Sequence, residues 1–240
     1  MTNAILMASG LGSRMRPLTN TKPKPLIEVN GAPMIETVIA ALNHFGVDRI
    51  YIVVGYLGEQ FSYLIDKYSN VSIIYNNDYE IVNNISSVYY AREFMKESDV
   101  FVCEADLYIS DVNVLSSLDT NKSGYFGRFV CGQSDDWVFE QDINGRITRV
   151  GKVGNNCYNM VGISYFNQRD AVIIADAIEN VYGNVEGYEE LFWDDIVNKL
   201  LQILRLEVFP VSEGQIVEID TIEELNAISN NCKVKNGCRK

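Results

Sequence analysis

Between Ser9 and Lys24 the chain sets two glycines, Gly10 and Gly12, beside four cations, Arg14, Arg16, Lys22 and Lys24. Glycines let backbone N–H groups close on an anion, and Arg14 and Lys24 add charge that suits a polyphosphate better than a single phosphate. Pro17, Pro23 and Pro25 stiffen the same segment. The pattern is neither a P-loop, which needs a Gly-Lys-Ser/Thr ending, nor the dinucleotide fingerprint, whose third glycine opens a helix directly. Spacing alone leaves two readings open, a phosphate-binding loop and a structural turn with solvated charges. Asp106, in Glu104-Ala105-Asp106, ends an apolar run where an open α/β sheet binds its ligands. It and Asp220, which follows a late apolar run, are either site carboxylates or turn and cap residues. The only tryptophans, Trp137 and Trp193, lie in acidic company, in Asp135-Asp136-Trp137 and in the stretch from Tyr188 through Glu190 to Asp195. A quaternary ammonium cannot donate a hydrogen bond, so aromatic faces with nearby carboxylates are what it needs. The plainer reading of both rings is core.

Alternating strand and helix signals must position these residues. Ala4 to Met7 reads as a buried strand, and Ile35, Val38, Ile39, Leu42 and Phe45 recur at helical spacing after Pro33. Arg49 to Val54 and Val71 to Tyr75 read as strands, with Phe61, Leu64, Ile65 and Tyr68 marking a helix between them. Asn83 or Asn84 can cap a helix carrying Val88, Ala91, Phe94 and Met95, and Val100 to Cys103 is a fourth strand. This rhythm predicts an α/β fold with a mixed, mainly parallel central sheet covered on both faces. The second half changes character. Tyr125 to Val130, Trp137 to Gln141, Ile147 to Val150 and Tyr158 to Phe166 read as strands, with Asn144-Gly145 as a hairpin turn. Helices near Asp170 to Asn180 and Glu190 to Leu204 and strands at Leu206 to Pro210 and Ile216 to Ile219 follow. Thr221 with Glu224 forms a capping box for a last helix, and Ser229 to Lys240 reads as a polar tail.

The totals narrow the function classes. A formal charge of −12 argues against nucleic acid as a partner, which needs a net basic face. No apolar run approaches the roughly 20 residues that span a bilayer, and the N-terminus lacks a basic leader, so a cytoplasmic location without membrane insertion is expected. Cys103, Cys131, Cys157, Cys232 and Cys238 show no CxxC pairing and read as reduced, mostly buried thiols. His44, the one histidine, sits near a helix end and argues against His-based acid–base chemistry. Tyr89 and Tyr90 read as packing.

The run Ala8-Ser9-Gly10-Leu11-Gly12-Ser13-Arg14-Met15-Arg16-Pro17-Leu18-Thr19, then Pro23-Lys24-Pro25-Leu26, resembles the signature of nucleotidyltransferases that make nucleotide-diphosphate sugars and alcohols. That signature reads, loosely, Ala-Ala/Gly-Gly-x-Gly-Ser/Thr-Arg-Leu-x-Pro-x-Thr, then Pro-Lys-x-Leu; Ser9 is a small-for-small departure. Val54-Gly55-Tyr56, Glu59-Gln60, Asn83-Asn84, Glu104-Ala105-Asp106, Trp137, Phe192-Trp193-Asp194 and Glu218-Ile219-Asp220 are similar to bacterial CTP:phosphocholine cytidylyltransferases. The resemblance implies a three-layer Rossmann-like nucleotidyltransferase fold in one domain over 1–228, with a nucleotide-binding part over about 1–110 and an acceptor-binding part over about 111–228. It implies that Arg14 and Lys24 are catalytic, holding the triphosphate with Ala8, Ser9, Gly10, Leu11, Gly12 and Ser13. Asn83, Asn84, Ser86 and Ala105 would hold the nucleoside. Asp106 and Asp220 would bind Mg²⁺, and Trp137, Tyr188, Trp193, Asp194 and Glu218 would hold the acceptor. The reaction so implied is CTP with phosphocholine giving CDP-choline and pyrophosphate. Two rivals stand beside it: the same chemistry on phosphoethanolamine, 2-aminoethylphosphonate or a sugar 1-phosphate, and a catalytically silent nucleotide sensor.

Overall fold

The computed structural model describes residues 1–228; the polar tail read at Ser229 to Lys240, with Cys232 and Cys238, lies outside the described residues. The chain runs from β1 (Thr2–Ala8) through a long loop to a small ladder of β2 (Glu28–Val29) and β3 (Ala32–Pro33). There follow α1 (Met34–Phe45), β4 (Arg49–Val54), α2 (Tyr63–Lys67), β5 (Val71–Tyr75), α3 (Ile85–Lys96), β6 (Asp99–Glu104) and the short β7 (Leu107–Ile109). The second half holds β8 (Ser123–Gln141), β9 (Ile147–Phe166), α4 (Gln168–Val181), α5 (Trp193–Leu200), β10 (Leu206–Pro210) and β11 (Ile216–Glu218). A helical segment begins at residue 222 behind the Thr221–Glu224 capping box, whose reciprocal bonds measure 2.9 and 3.2 Å.

Seven strands form the central sheet in the order β10-β8-β9-β6-β1-β4-β5. β1 pairs parallel with β4 and β6, β4 with β5, and β10 with β8, while β9 runs antiparallel to β6 and β8. The expected mixed, mainly parallel sheet is thus present. Strand period two divides the core between its faces. Ala4, Leu6 and Ala8 of β1 pack toward α1 and α2, whereas Ile5 faces α3, α4 and α5. On α1, Ile35, Val38, Ile39 and Leu42 are completely buried, at about 1.5–3 kcal/mol of transfer free energy each. The helix closes at Gly46 (φ 96°), whose N–H reaches the Leu42 and Asn43 carbonyls. His44 is exposed in that last turn, near the helix end as expected.

Three expectations change. The separate strands read over 125–141 and over 147–166 are one long strand each, because bulges rather than breaks absorb Gly132, Asp135-Asp136 and Gly151. Phe139 consequently faces Tyr158 on one side and Val150 on the other. The helix expected over Glu190 to Leu204 is shorter, since Tyr188–Glu190 forms a separate 3₁₀ turn. Cys103 and Cys157 are buried as expected, but Cys131 is exposed on β8.

Candidate active site

The loop after β1 is built to be rigid. Gly12 adopts φ 60°, and a Cβ there would lie 3.0 Å from both Lys24 Cβ and Thr19 Cγ2, so only glycine fits without strain. Thr19 Oγ1 donates to the Gly12 carbonyl at 2.8 Å, Tyr56 Oη to the Thr19 carbonyl at 2.9 Å, and Gln60 Nε2 to the Thr21 carbonyl at 2.9 Å. Beneath the loop, Met15, Ile27, Val29, Met34 and Ile219 form a small apolar cluster. That cluster ties the segment carrying Arg14 and Lys24 to the segment carrying Asp220.

These elements frame a cleft of about 360 Å³ lined by Ala8, Ser9, Gly10, Gly12, Ser13, Arg14, Lys24, Asn83, Asn84 and Ser86 among the residues the sequence singled out. Leu11 is outside the lining and partly exposed, and Ala105 is fully buried with its N–H on the Met7 carbonyl at 3.3 Å. Several predicted contacts have internal duties. Ser9 Oγ donates to the Val53 carbonyl at 3.0 Å, and Ser86 Oγ to the Asn83 carbonyl at 2.8 Å. Asn84 does not cap α3 with its side chain; its Oδ1 accepts from Trp193 N–H at 3.0 Å, pinning the start of α5 to the nucleotide side.

On the cleft floor Lys24, nearly buried, sits 2.5 Å from Asp106 Oδ2 and 2.7 Å from Asp220 Oδ1, and Arg14 meets Asp220 Oδ2 at 2.7 Å. Burial alone would depress the Lys24 ammonium, but Asp106 and Asp220 outweigh it and raise its pKa. Burial opposes ionisation of Asp220 too, yet Lys24 and Arg14 hold its carboxyl below the usual range. Glu218, expected among acceptor residues, instead joins this group: carboxylate oxygens of Asp106, Glu218 and Asp220 lie within 4.8 Å of one another. Glu218 opens to the cleft, but crowding by protein on its other sides, then the charges of Asp106 and Asp220, pushes its carboxyl up to about 7. Three convergent carboxylates form a hard-oxygen set that fits a divalent cation.

Beside the cleft lies a second cavity of about 10 Å³, room for one water-sized group, lined by Tyr125, Met160, Gly162, Trp193 and Asp194. Met7 and Glu104 line both spaces. Asp194 is buried and accepts from Tyr125 Oη at 3.0 Å; burial pushes its carboxyl up to about 7 despite that bond. Trp193 is 3% exposed and packs among Tyr125 and Phe166, showing the cavity only part of its surface. Trp137 lines neither space; its ring meets Phe192 edge-on at 5.3 Å and carries Lys152 Nζ 5.7 Å from its centroid. Tyr188 packs on Tyr182 at 5.0 Å and is likewise outside both. The two tryptophans therefore do not form a shared cage. Asn76, Tyr79, Ser87, Tyr125, Met160 and Glu104 are among the lining residues that sequence reasoning missed. Glu104 had a usable signal, a carboxylate ending a buried apolar strand two residues before Asp106.

Cations facing converging carboxylates at the carboxyl ends of parallel strands are what transfer of a nucleotidyl group asks of a protein. The chain belongs to the nucleotidyl transferase family, whose pattern matches residues 3–126. It is 50% identical over 229 residues to the 2-aminoethylphosphonate cytidylyltransferase of Lancefieldella rimae, covering 95% of this chain and 92% of that one. It is 31% identical to the choline-phosphate cytidylyltransferase of Streptococcus pneumoniae, covering 97% and 99%. The solved CTP:phosphocholine cytidylyltransferase of Streptococcus pneumoniae superposes with a TM-score of 0.87 at 30% identity, over 96% of this chain and 99% of that one. No helix among the described residues is long and apolar enough to cross a membrane.

Proposed function

We propose that this chain transfers CMP from CTP to 2-aminoethylphosphonate and releases pyrophosphate. One observation carries the acceptor: the cavity beside the cleft is water-sized and faced by the carboxylates of Asp194 and Glu104, which suits a primary ammonium better than a bulky trimethylammonium. The 50% identical relative supports the same choice. A phosphonate oxygen, already ionised, attacks the α-phosphorus of CTP in line. The new P–O bond forms as the bond to the oxygen bridging the β-phosphorus breaks, so pyrophosphate departs with its electrons and no general base is needed. Such chemistry asks the protein for positioning and charge stabilisation. With the triphosphate bound, Lys24 and Arg14 exchange their carboxylate partners for phosphate oxygens and meet the charge that grows there. Asp106, Asp220 and Glu218 would hold Mg²⁺, which when bound adds charge neutralisation at the reacting phosphates.

Phosphocholine is the second reading, favoured by the Trp193 surface at the cavity and by the choline-phosphate relative. Pyrophosphate release, measured with CTP, ATP, GTP and UTP against 2-aminoethylphosphonate, phosphoethanolamine, phosphocholine and glucose 1-phosphate, tests the proposal. The highest kcat/KM is expected for CTP with 2-aminoethylphosphonate. Faster turnover of phosphocholine contradicts the acceptor, and no release with any pair contradicts the activity.

A further inference from the structure

Glu104 is the last residue of β6, paired with Met7 on β1, and it lines both the nucleotide cleft and the smaller cavity. No hydrogen bond or ion pair reaches its carboxylate from any described residue. A half-buried carboxyl group without a hydrogen-bond partner is costly to keep. The surroundings keep room for it nonetheless. Gly162 faces it in the left-handed region (φ 76°), and a Cβ there would stand 3.1 Å from Glu104 Oε2 and 3.0 Å from Leu107 Cδ2. Of the other carboxylates nearby, Asp106 and Asp220 are engaged with Lys24 and Asp194 with Tyr125, while Glu218 lines the cleft beside Asp106 and Asp220 but not the smaller cavity. Glu104 alone faces the junction of the two spaces with both oxygens uncommitted.

We infer that Glu104 is the residue that selects an aminated acceptor, its carboxylate receiving the ammonium group of the substrate at the junction between cleft and cavity. The inference rests on the acceptor reading above and deepens it. An ammonium there donates to Glu104 while the phosphonate two carbons away extends into the cleft toward the α-phosphorus of CTP. The tail end of the cavity, walled by Met160, Trp193 and Tyr125, leaves no room for methyl groups on that nitrogen. Specificity then comes from an unmatched acceptor group, since a substrate without nitrogen leaves the Glu104 side chain facing the cleft with no donor.

The test compares 2-aminoethylphosphonate with ethylphosphonate, which lacks only the amine, in wild type, Glu104→Gln and Glu104→Asp, by kcat/KM for each acceptor and KM for CTP. A charge-assisted hydrogen bond corresponds to roughly 10- to 100-fold, and wild type should favour the aminated acceptor by at least that range. In Glu104→Gln the preference should collapse by tenfold or more, chiefly through KM of the aminated acceptor, and Glu104→Asp should keep part of it. A preference retained in Glu104→Gln overturns the inference while leaving the acceptor reading intact. Equal losses on both acceptors with a raised KM for CTP also overturn it, placing Glu104 with the nucleotide. Wild type that ignores 2-aminoethylphosphonate overturns the acceptor reading and the inference together. Melting curves separate misfolding of the Gln variant from loss of selection, and the Asp variant supplies the charge-retaining comparison.

Discussion

Replacing Asp194 by Asn should stabilise the protein more at pH 8 than at pH 5. The carboxyl lies buried in the first turn of α5, with Tyr125 Oη donating to it at 3.0 Å, and burial lifts its pKa from 3.8 to about 7. The folded state therefore holds a proton that the unfolded chain releases near pH 4. Between those values the native state binds more protons than the unfolded one, so stability falls as pH rises and levels off above 7. A shift of that size is worth about 4 kcal/mol in full, at about 1.4 kcal/mol per pH unit, and about 2 to 3 kcal/mol of it accrues between pH 5 and pH 8. Asparagine keeps an acceptor for Tyr125 but has no charge to bury. Urea unfolding of wild type and Asp194→Asn at pH 5, 6, 7 and 8 should show their difference growing by about 2 to 3 kcal/mol in favour of the variant. A difference constant across that range would refute the reasoning, because Asp194 would then ionise in the fold as it does in the unfolded chain.

Lys24→Ala should lower turnover by about 100-fold or more, measured by pyrophosphate release. The same variant should bind Mn²⁺ without nucleotide more tightly than wild type by titration calorimetry, because Lys24 Nζ occupies Asp106 and Asp220 in the free site. Gly12→Ala, forced into a left-handed conformation against Lys24 and Thr19, should lose about 1–2 kcal/mol of stability in denaturant melts and lower kcat as Lys24 shifts. Trp137→Phe should retain wild-type kcat/KM for the preferred acceptor, since the ring packs on Phe192 outside the cleft; a large rise in acceptor KM would restore the aromatic cage.

The parts legible in the sequence are those fixed by local pattern. β-branched runs ended by glycine or polar residues gave β4 and β5 to the residue. The ordered run from Ala8 to Arg14 and on to Lys24 marked the loop that lines the cleft, because each residue type there answers a backbone or charge requirement at its own position. The acceptor side was less legible because it depends on long-range placement. Trp137 and Trp193 share acidic neighbours in sequence, but bulges in β8 and the start of α5 send one ring outward to Phe192 and bury the other against Tyr125. Glu218 was assigned to the acceptor by resemblance; it ends β11 two residues before Asp220, and the fold brings both carboxylates together with that of Asp106. Asn84 looked like a helix cap, and only the tertiary fold turns its carbonyl to Trp193 N–H, 109 residues on.

The reaction proposed for this chain is the transfer of a cytidylyl group to an aminated phosphonate. Its most direct test is a competition in which equimolar 2-aminoethylphosphonate and phosphocholine share one reaction with limiting CTP and Mg²⁺, the products being counted by ³¹P NMR. A product mixture dominated by the CMP-linked phosphonate, with its carbon-bound phosphorus resonance, is the predicted result. A mixture dominated by CDP-choline would contradict it.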